Sequence, residues 1–474
     1  MAANEFDLVV LGGGTGGYVA AIRASQLGMK VAVVEKGKLG GTCLHRGCIP
    51  SKALLRSAEV HHTIIQSSEY GMEVSDISIN FLKIQERKQK IVDQLYKGVQ
   101  YLMKKGNITV FQGEGRLMGP SIFSPQAGAV SVIGVDGDSE ILVPKYLLIA
   151  TGSRPRMLTG LTADGLSVLT SDEALQLESL PKSILVVGGG VIGIEWASLL
   201  NDLGVDVQIV EFANRILPLE DDEISKEMTR LLKKRKIQVH TSTKVLPETI
   251  SKNSETVTIQ AEKDGSLITL QAEKVLVSVG RLANIENIGL ENTEVRIEKN
   301  VIQVNEHYQT AESHIYAIGD VIGGLQLAHV ASHEGILAVE HMAGLAPHPI
   351  DYNKVPKVTY SRPEIASVGW TEEEAKERGI SVKTGIFPFQ AIGKALIYGD
   401  SDGFVKIVAD EKTDDLLGVH MIGPHVSDLI AEAALAKVLD ATPWEIAHTI
   451  HPHPSLAEIM GEAALAVDRL AIHT

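Results

Sequence analysis

Two stretches of the chain repeat one pattern of apolar and polar positions. Asp7–Val10 is a short strand-like run that passes through Leu11-Gly12-Gly13-Gly14-Thr15-Gly16-Gly17 into a helix-like stretch. Ser183–Val187 passes in the same way through Gly188-Gly189-Gly190-Val191-Ile192-Gly193. Each copy then reaches a second apolar run ending on an acid, Gly28-Met29-Lys30-Val31-Ala32-Val33-Val34-Glu35 and Gly204-Val205-Asp206-Val207-Gln208-Ile209-Val210-Glu211. Gly12, Gly14, Gly17, Gly28 and Glu35 recur 176 residues later as Gly188, Gly190, Gly193, Gly204 and Glu211. Strand, glycine turn, helix and strand predict two doubly wound α/β units. Val355–Thr474 keeps strand and helix patterns without a glycine motif, and the loop-like Gly344–Pro349 marks the boundary before it. The expected fold is therefore α/β, with two Rossmann-like domains and a C-terminal α+β domain.

The glycine spacing has a physical reason. The first glycine permits a tight turn, the second lets a pyrophosphate approach the backbone, and the third lets helix and strand pack closely. The helix N-terminus then offers unpaired N–H groups to phosphate. The terminal acid accepts hydrogen bonds from a ribose diol. One glycine motif alone is weak, because such turns also serve plain αβ packing. Two complete copies predict two bound dinucleotides. Glu211 would repel a 2′-phosphate and no Arg directly follows it, so NAD is expected over NADP at the second site.

Charge and length narrow the classes. The 474 residues suit two to four domains. The formal charge of −15 argues against nucleic acid or an anionic membrane as the main partner. No apolar run reaches the roughly 18 residues of a spanning helix. The first residues carry Glu5 and Asp7 and no basic stretch, so no secretory signal is expected. Two cysteines exclude a disulfide scaffold, and a cytoplasmic protein is expected.

Those two cysteines lie in Gly40-Gly41-Thr42-Cys43-Leu44-His45-Arg46-Gly47-Cys48-Ile49-Pro50-Ser51-Lys52. Inert thiols, a metal site and a redox couple are the alternatives. Zinc prefers four ligands in paired clusters, and no second cysteine pair exists. His329, His333 and Glu334 make at most half a metal site. In a regular helix, positions five apart lie about 8.5 Å apart at Cα, whereas a disulfide needs less than ~7 Å. A bridge thus needs a distorted turn, for which Gly47 and Pro50 are the candidates. So short a loop stabilises little, which favours a redox-active bridge.

Gly-Gly-Thr-Cys-x4-Cys-x-Pro-Ser-Lys after an N-terminal dinucleotide motif resembles the flavoprotein disulfide reductase family, and the similarity runs over essentially the whole chain. The resemblance implies FAD on the first glycine motif (Gly12, Gly14, Gly17, Glu35) and NAD on the second (Gly188, Gly190, Gly193, Glu211). It implies an FAD domain of residues 1–150 and 280–348, an NAD domain of 151–279, and an interface domain of 349–474 that makes a homodimer. Thr151 and Gly152 close the first FAD segment, and Gly280 starts the return. Ala283 replaces the usual Pro there, read as a tolerated loop change. Asp320, in Tyr316-Ala317-Ile318-Gly319-Asp320, matches the residue that holds the ribitol chain of FAD. Gly115 and Ala328 are implied FAD contacts, and Val245 an NAD contact. Lys52 and Glu195 are implied to pair beside the flavin ring, where a lysine stabilises developing negative charge.

The last landmark is His451-Pro452-His453-Pro454-Ser455-Leu456-Ala457-Glu458. A dithiol substrate needs a base, because a free thiol ionises near ~8.5 and the thiolate is the attacking species. The family pattern H-P-x-x-x-E selects His453 as base and Glu458 as its orienting carboxylate. His451 competes imperfectly, since its spacing to Glu458 does not match. The nearest resemblance is to members that reoxidise protein-bound dihydrolipoamide for 2-oxo-acid dehydrogenase complexes. It implies that His453, from the other subunit, deprotonates a dihydrolipoyl thiol on the lipoyl domain of a partner acyltransferase. The thiolate attacks Cys43, and Cys48, nearer the flavin, passes electrons to FAD and on to NAD+. Two alternatives are another NAD(P)H-dependent disulfide reductase of the glutathione reductase type and a non-catalytic flavoprotein subunit. Glu211 and a C-terminus without a cysteine pair weigh against other reductases; the intact cysteine couple with His453 and Glu458 weighs against the non-catalytic subunit.

Overall fold

The computed structural model describes residues 4–120, 127–134 and 136–473. The chain divides into two compact units, Met1–Ala53 with Gln85–Arg156 and Arg281–Ile350, and Leu54–Ile84 with Met157–Gly280 and Asp351–Thr474.

In the first unit, β1 (Asn4–Leu11) is followed by α1 (Thr15–Gln26) and β2 (Val31–Glu35). β1 pairs in parallel with β2, Val9 opposite Ala32, and with β5 (Ser139–Ile149), Val9 opposite Leu147. The strand Ile315–Ala317 extends the sheet beyond β5, also in parallel. β3 (Thr109–Met118) lies in parallel beside β2, and β4 (Ala129–Gly134) joins β3 to β5 by antiparallel pairs. Leu8, Val9, Val10, Leu147, Leu148 and Ile149 are fully buried, as expected of strands covered on both faces. α1 packs on the helix Ala328–Met342 through small residues: a Cβ at Gly335 would lie 2.8 Å from the Gly16 carbonyl oxygen.

The second unit carries the matching parallel sheet, in the order Gln238–His240, Asp206–Val210, Ser183–Val187, Lys274–Val277, Val168–Leu169. It also holds an antiparallel meander (Thr243–Lys252, Val257–Lys263, Ser266–Ala272). A five-stranded antiparallel sheet follows, ordered Lys357–Thr359, Glu364–Gly369, Leu416–Gly423, Phe404–Asp410, Val382–Pro388. The helices Val426–Val438, Pro443–His448 and Glu458–Val467 supply its apolar cover with Ala433, Ile446 and Ile459.

Two features qualify the reading from sequence. Residues 54–84, which the sequence groups with the first glycine motif, pack in the second unit: Leu54 and Ala58 share a core with Leu169, Ile194 and Leu200. Lys406, only 2% exposed, crosses within that unit to Asp221, with Nζ 3.0 Å from Oδ1, and reaches Glu223 and Glu372 at 2.7 Å each. Asp221 also caps the helix Asp222–Lys234, so one buried ammonium joins that helix to the antiparallel sheet. Among the described residues, no helix is long and apolar enough to cross a membrane.

Candidate active site

The two glycine loops have one local geometry. Gly12 and Gly188 take φ of +109° and +110°, which L side chains avoid. A Cβ at Gly12 would lie 2.3 Å from the Ala150 carbonyl oxygen, and one at Gly17 only 1.9 Å from that of Gly12. The second copy repeats this, with Gly188 against Ser278 at 2.5 Å and Gly193 against Gly188 at 2.0 Å. The middle glycine differs in each copy. Beside Gly14 a Cβ would meet only Gly41 Cα at 3.9 Å, and beside Gly190 nothing within 4 Å. Both are helix N-caps without a side-chain cap bond, and the first N–H groups of a helix lack intrahelical partners, an arrangement suited to a pyrophosphate.

The two acids are also matched. Glu35 accepts the Gly13 N–H at 2.7 Å and the Gly37 N–H at 2.6 Å, one on each oxygen. Glu211 accepts the Gly189 N–H at 2.6 Å and the Ala213 N–H at 2.7 Å. Each carboxylate is therefore fixed beside its own loop, with lone pairs left for a ribose hydroxyl. The donor sets fit two dinucleotides. Val245 is buried two residues after Thr243, whose N–H donates to the Glu211 carbonyl at 2.9 Å.

The other residues expected on the FAD side separate into two roles. Gly115 leaves room for the Leu11 side chain, since a Cβ there would lie 2.4 Å from Leu11 Cδ1. Ala328 opens the helix Ala328–Met342. Thr151 donates to the Asn284 carbonyl at 2.7 Å, and the Gly152 carbonyl accepts the Asn284 N–H at 2.9 Å. Asp320 accepts a short hydrogen bond from Ser153, which in turn accepts from Arg281 Nε at 2.7 Å. The sequence marks these two segments at Thr151, Gly152 and Gly280, but it does not give the contacts that Ser153, Arg281 and Asn284 make between them. Ala283 lies in a strand rather than a loop, opposite Ser153 and buried, so the loop expectation is corrected. Gly280 takes φ of +107° with open space beside it. Among the described residues, no group of three or more His, Cys, Asp or Glu is placed to hold a metal ion.

The cysteine couple spans a helix break. α2 (Gly41–Arg46) stops at Gly47, whose φ of −147° and ψ of −117° leave the helical range, and α3 (Cys48–Ile65) starts at the next residue. Pro50 is inside the first turn of α3, where its missing N–H costs nothing, so Gly47 alone makes the break. A Cβ at Gly47 would crowd the Thr42 carbonyl oxygen at 3.0 Å. Across this break the two half-buried thiols meet in a hydrogen bond. That bond to Cys48, with burial, raises the Cys43 thiol above its ordinary range, while the Thr15 hydroxyl and the Lys52 charge pull it down. Lys52 follows Cys48 by four residues on α3. Glu195, 7% exposed in the helix Val191–Asp202, accepts the Tyr360 N–H at 2.9 Å.

The base candidate stands in the second unit. His453 Nδ1 lies 2.8 Å from Glu458 Oε1, and the ring is 79% exposed. Glu458 is the first residue of the helix Glu458–Val467 and accepts the Ser455 N–H on its other oxygen at 2.8 Å. Its burial is outweighed by that N–H and by His453, which hold the carboxyl below the usual carboxylate range. With Nδ1 turned to the carboxylate, Nε2 carries the lone pair on the exposed edge. His451 pairs instead with Glu432, at 2.9 Å.

Fold and site together define an oxidoreductase built to hold two dinucleotides and to cycle a cysteine couple. The family model described as pyridine nucleotide-disulphide oxidoreductase matches residues 6–335, and the model of its dimerisation domain matches 355–464. The chain belongs to the pyridine nucleotide-disulphide oxidoreductase family. It is 68% identical over 472 residues to the dihydrolipoyl dehydrogenase of Bacillus subtilis, covering 99% of this chain and 100% of that one. The mitochondrial dihydrolipoyl dehydrogenase of Pisum sativum is 41% identical over 474 residues, with 99% and 93% covered. The solved structure of LpdA from Mycobacterium tuberculosis superposes with a TM-score of 0.89 at 27% identity, over 98% of this chain and 99% of that chain.

Proposed function

We propose that the chain has dihydrolipoyl dehydrogenase activity, reoxidising protein-bound dihydrolipoamide to lipoamide and delivering the electrons to NAD+. The observation that carries this is the cysteine couple meeting across the Gly47 break. His453 Nε2 takes the proton from one dihydrolipoyl thiol, and Glu458 stabilises the resulting imidazolium. The thiolate attacks Cys43 Sγ of the oxidised couple. The Cys43–Cys48 bond breaks, a lipoyl–Cys43 bond forms, and Cys48 leaves as a thiolate. The second lipoyl thiol attacks the first lipoyl sulfur, closing lipoamide and releasing Cys43, which takes up the proton that thiol gives up. Two electrons have then moved from substrate to couple, and Lys52 offers positive charge beside it. FAD, when bound on the loop of Gly12, Gly14 and Gly17, supplies the two-electron carrier between couple and NAD.

Residues 1–150 and 280–348 are read as the FAD domain, 151–279 as the NAD domain and 349–474 as the interface domain of a homodimer. The dimerisation-domain match supports the last of these. The partner is the lipoyl domain of a 2-oxo-acid dehydrogenase acyltransferase, and a bacterial relative at 68% identity supports a cytoplasmic setting.

The Cys43→Ser variant tests the reading. It should lose lipoamide turnover by at least about a thousandfold and keep its FAD. Full activity in that variant contradicts the role given to Cys43.

A further inference from the structure

Two histidines share the loop after the helix Pro443–His448, and the mechanism above uses only one. His453 is almost free of its surroundings apart from Glu458. His451 is its opposite, with 8% of its side chain exposed. Its Nε2 lies 2.9 Å from Glu432 Oε1, on the helix Val426–Val438. The ring is also hydrogen-bonded to the Thr449 backbone, and Nδ1 lies toward the helix Glu458–Val467, where a Cβ at Gly461 would sit 3.5 Å from it, in ordinary contact. The ring is thus clamped between two helices. The second of these carries Glu458.

The segment that holds the base is therefore fastened at both ends. On one side the Ser455 N–H is fixed to Glu458 Oε2 at 2.8 Å. On the other, His451 is fixed to Glu432. Pro452 and Pro454 lie between these anchors and restrict φ at both positions. An exposed side chain held this way loses little orientational freedom when substrate arrives. The charges agree: Glu432 raises the basicity of His451, and His451 helps to keep Glu458 ionised.

We propose that His451 is a positioning residue for the dithiol half of the reaction, which it serves by anchoring the 452–455 segment to Glu432 so that His453 stays on Glu458. This rests on reading His453 as the base. The test compares two activities of the holoenzyme. Dihydrolipoamide with NAD+ needs the base, whereas NADH with ferricyanide, an outer-sphere acceptor, does not. His451→Gln and Glu432→Gln should each lower the dithiol kcat by about ten- to a hundredfold. NADH–ferricyanide turnover, FAD content and oligomeric state should stay at wild-type values. The double variant should be no slower than the worse single one, because both weaken the same contact. Unchanged dithiol kcat in the two single variants overturns the proposal, and so does an equal fall in both activities. His453→Gln, run in parallel, separates the two readings. If it keeps full dithiol turnover, the base assignment itself has failed. If it loses turnover while His451→Gln does not, only the anchoring role has failed.

Discussion

Glu458 receives one N–H from the backbone and one ring nitrogen, and each partner favours its ionised form. Its folded pKa is depressed, so its contribution to stability is present above the unfolded carboxyl value near ~4.3 and is lost as pH falls through the lower folded value. The stability gap between wild type and Glu458→Gln should accordingly narrow as pH drops below about 4, as measured by urea unfolding at stepped pH. A gap that widened on acidification would contradict the pairing. At the same scale, His453→Gln should cost about 10²–10⁴-fold in dithiol oxidation, since the substrate thiol then keeps its proton near neutral pH. The pairing of His453 with Glu458 was legible because both partners lie within one short segment. That of His451 with Glu432 was not: the partner sits 19 residues upstream on another helix, and no spacing rule reaches it.

Glycine governs the elements. The repeat could be read from sequence because Gly12, Gly17, Gly188 and Gly193 each stand where a Cβ would strike backbone, and such positions leave a mark in the chain. Gly193→Ala would put a methyl 2.0 Å from the Gly188 carbonyl oxygen and force strand and helix apart. NAD-linked turnover should collapse while bound FAD remains, read as flavin absorbance of the purified variant; NADH kinetics like wild type would contradict the packing argument. The break in the cysteine segment was only half legible. Composition offered Gly47 and Pro50, and helix geometry excuses Pro50 because a first-turn proline is tolerated. The contacts of Ser153, Arg281 and Asn284 stayed hidden for another reason, as they are tertiary contacts between segments about 130 residues apart.

For the molecule as a whole, sequence patterns indicated two parallel sheets and a third body, but not the packing of residues 54–84 with the second unit. Nor did they reveal Lys406. Burial alone would lower its basicity, yet the carboxylates of Glu223, Glu372 and Asp221 outweigh that and raise it. Lys406→Ala would leave Asp221, 1% exposed, without its counter-charge, and should lower stability by about 3–5 kcal/mol in denaturant unfolding. A loss within the ordinary surface range of about 0.5 kcal/mol would contradict a role for Lys406 in balancing the buried Asp221 charge. The proposed activity requires electrons to pass from a dithiol through the cysteine couple to a nicotinamide. Anaerobic titration of the FAD-loaded protein with dihydrolipoamide tests this most directly. The oxidised flavin absorbance should fall as dithiol is added and return when NAD+ follows, with Cys43→Ser unresponsive to the dithiol. A flavin spectrum that dihydrolipoamide leaves unchanged in the wild-type protein would contradict it.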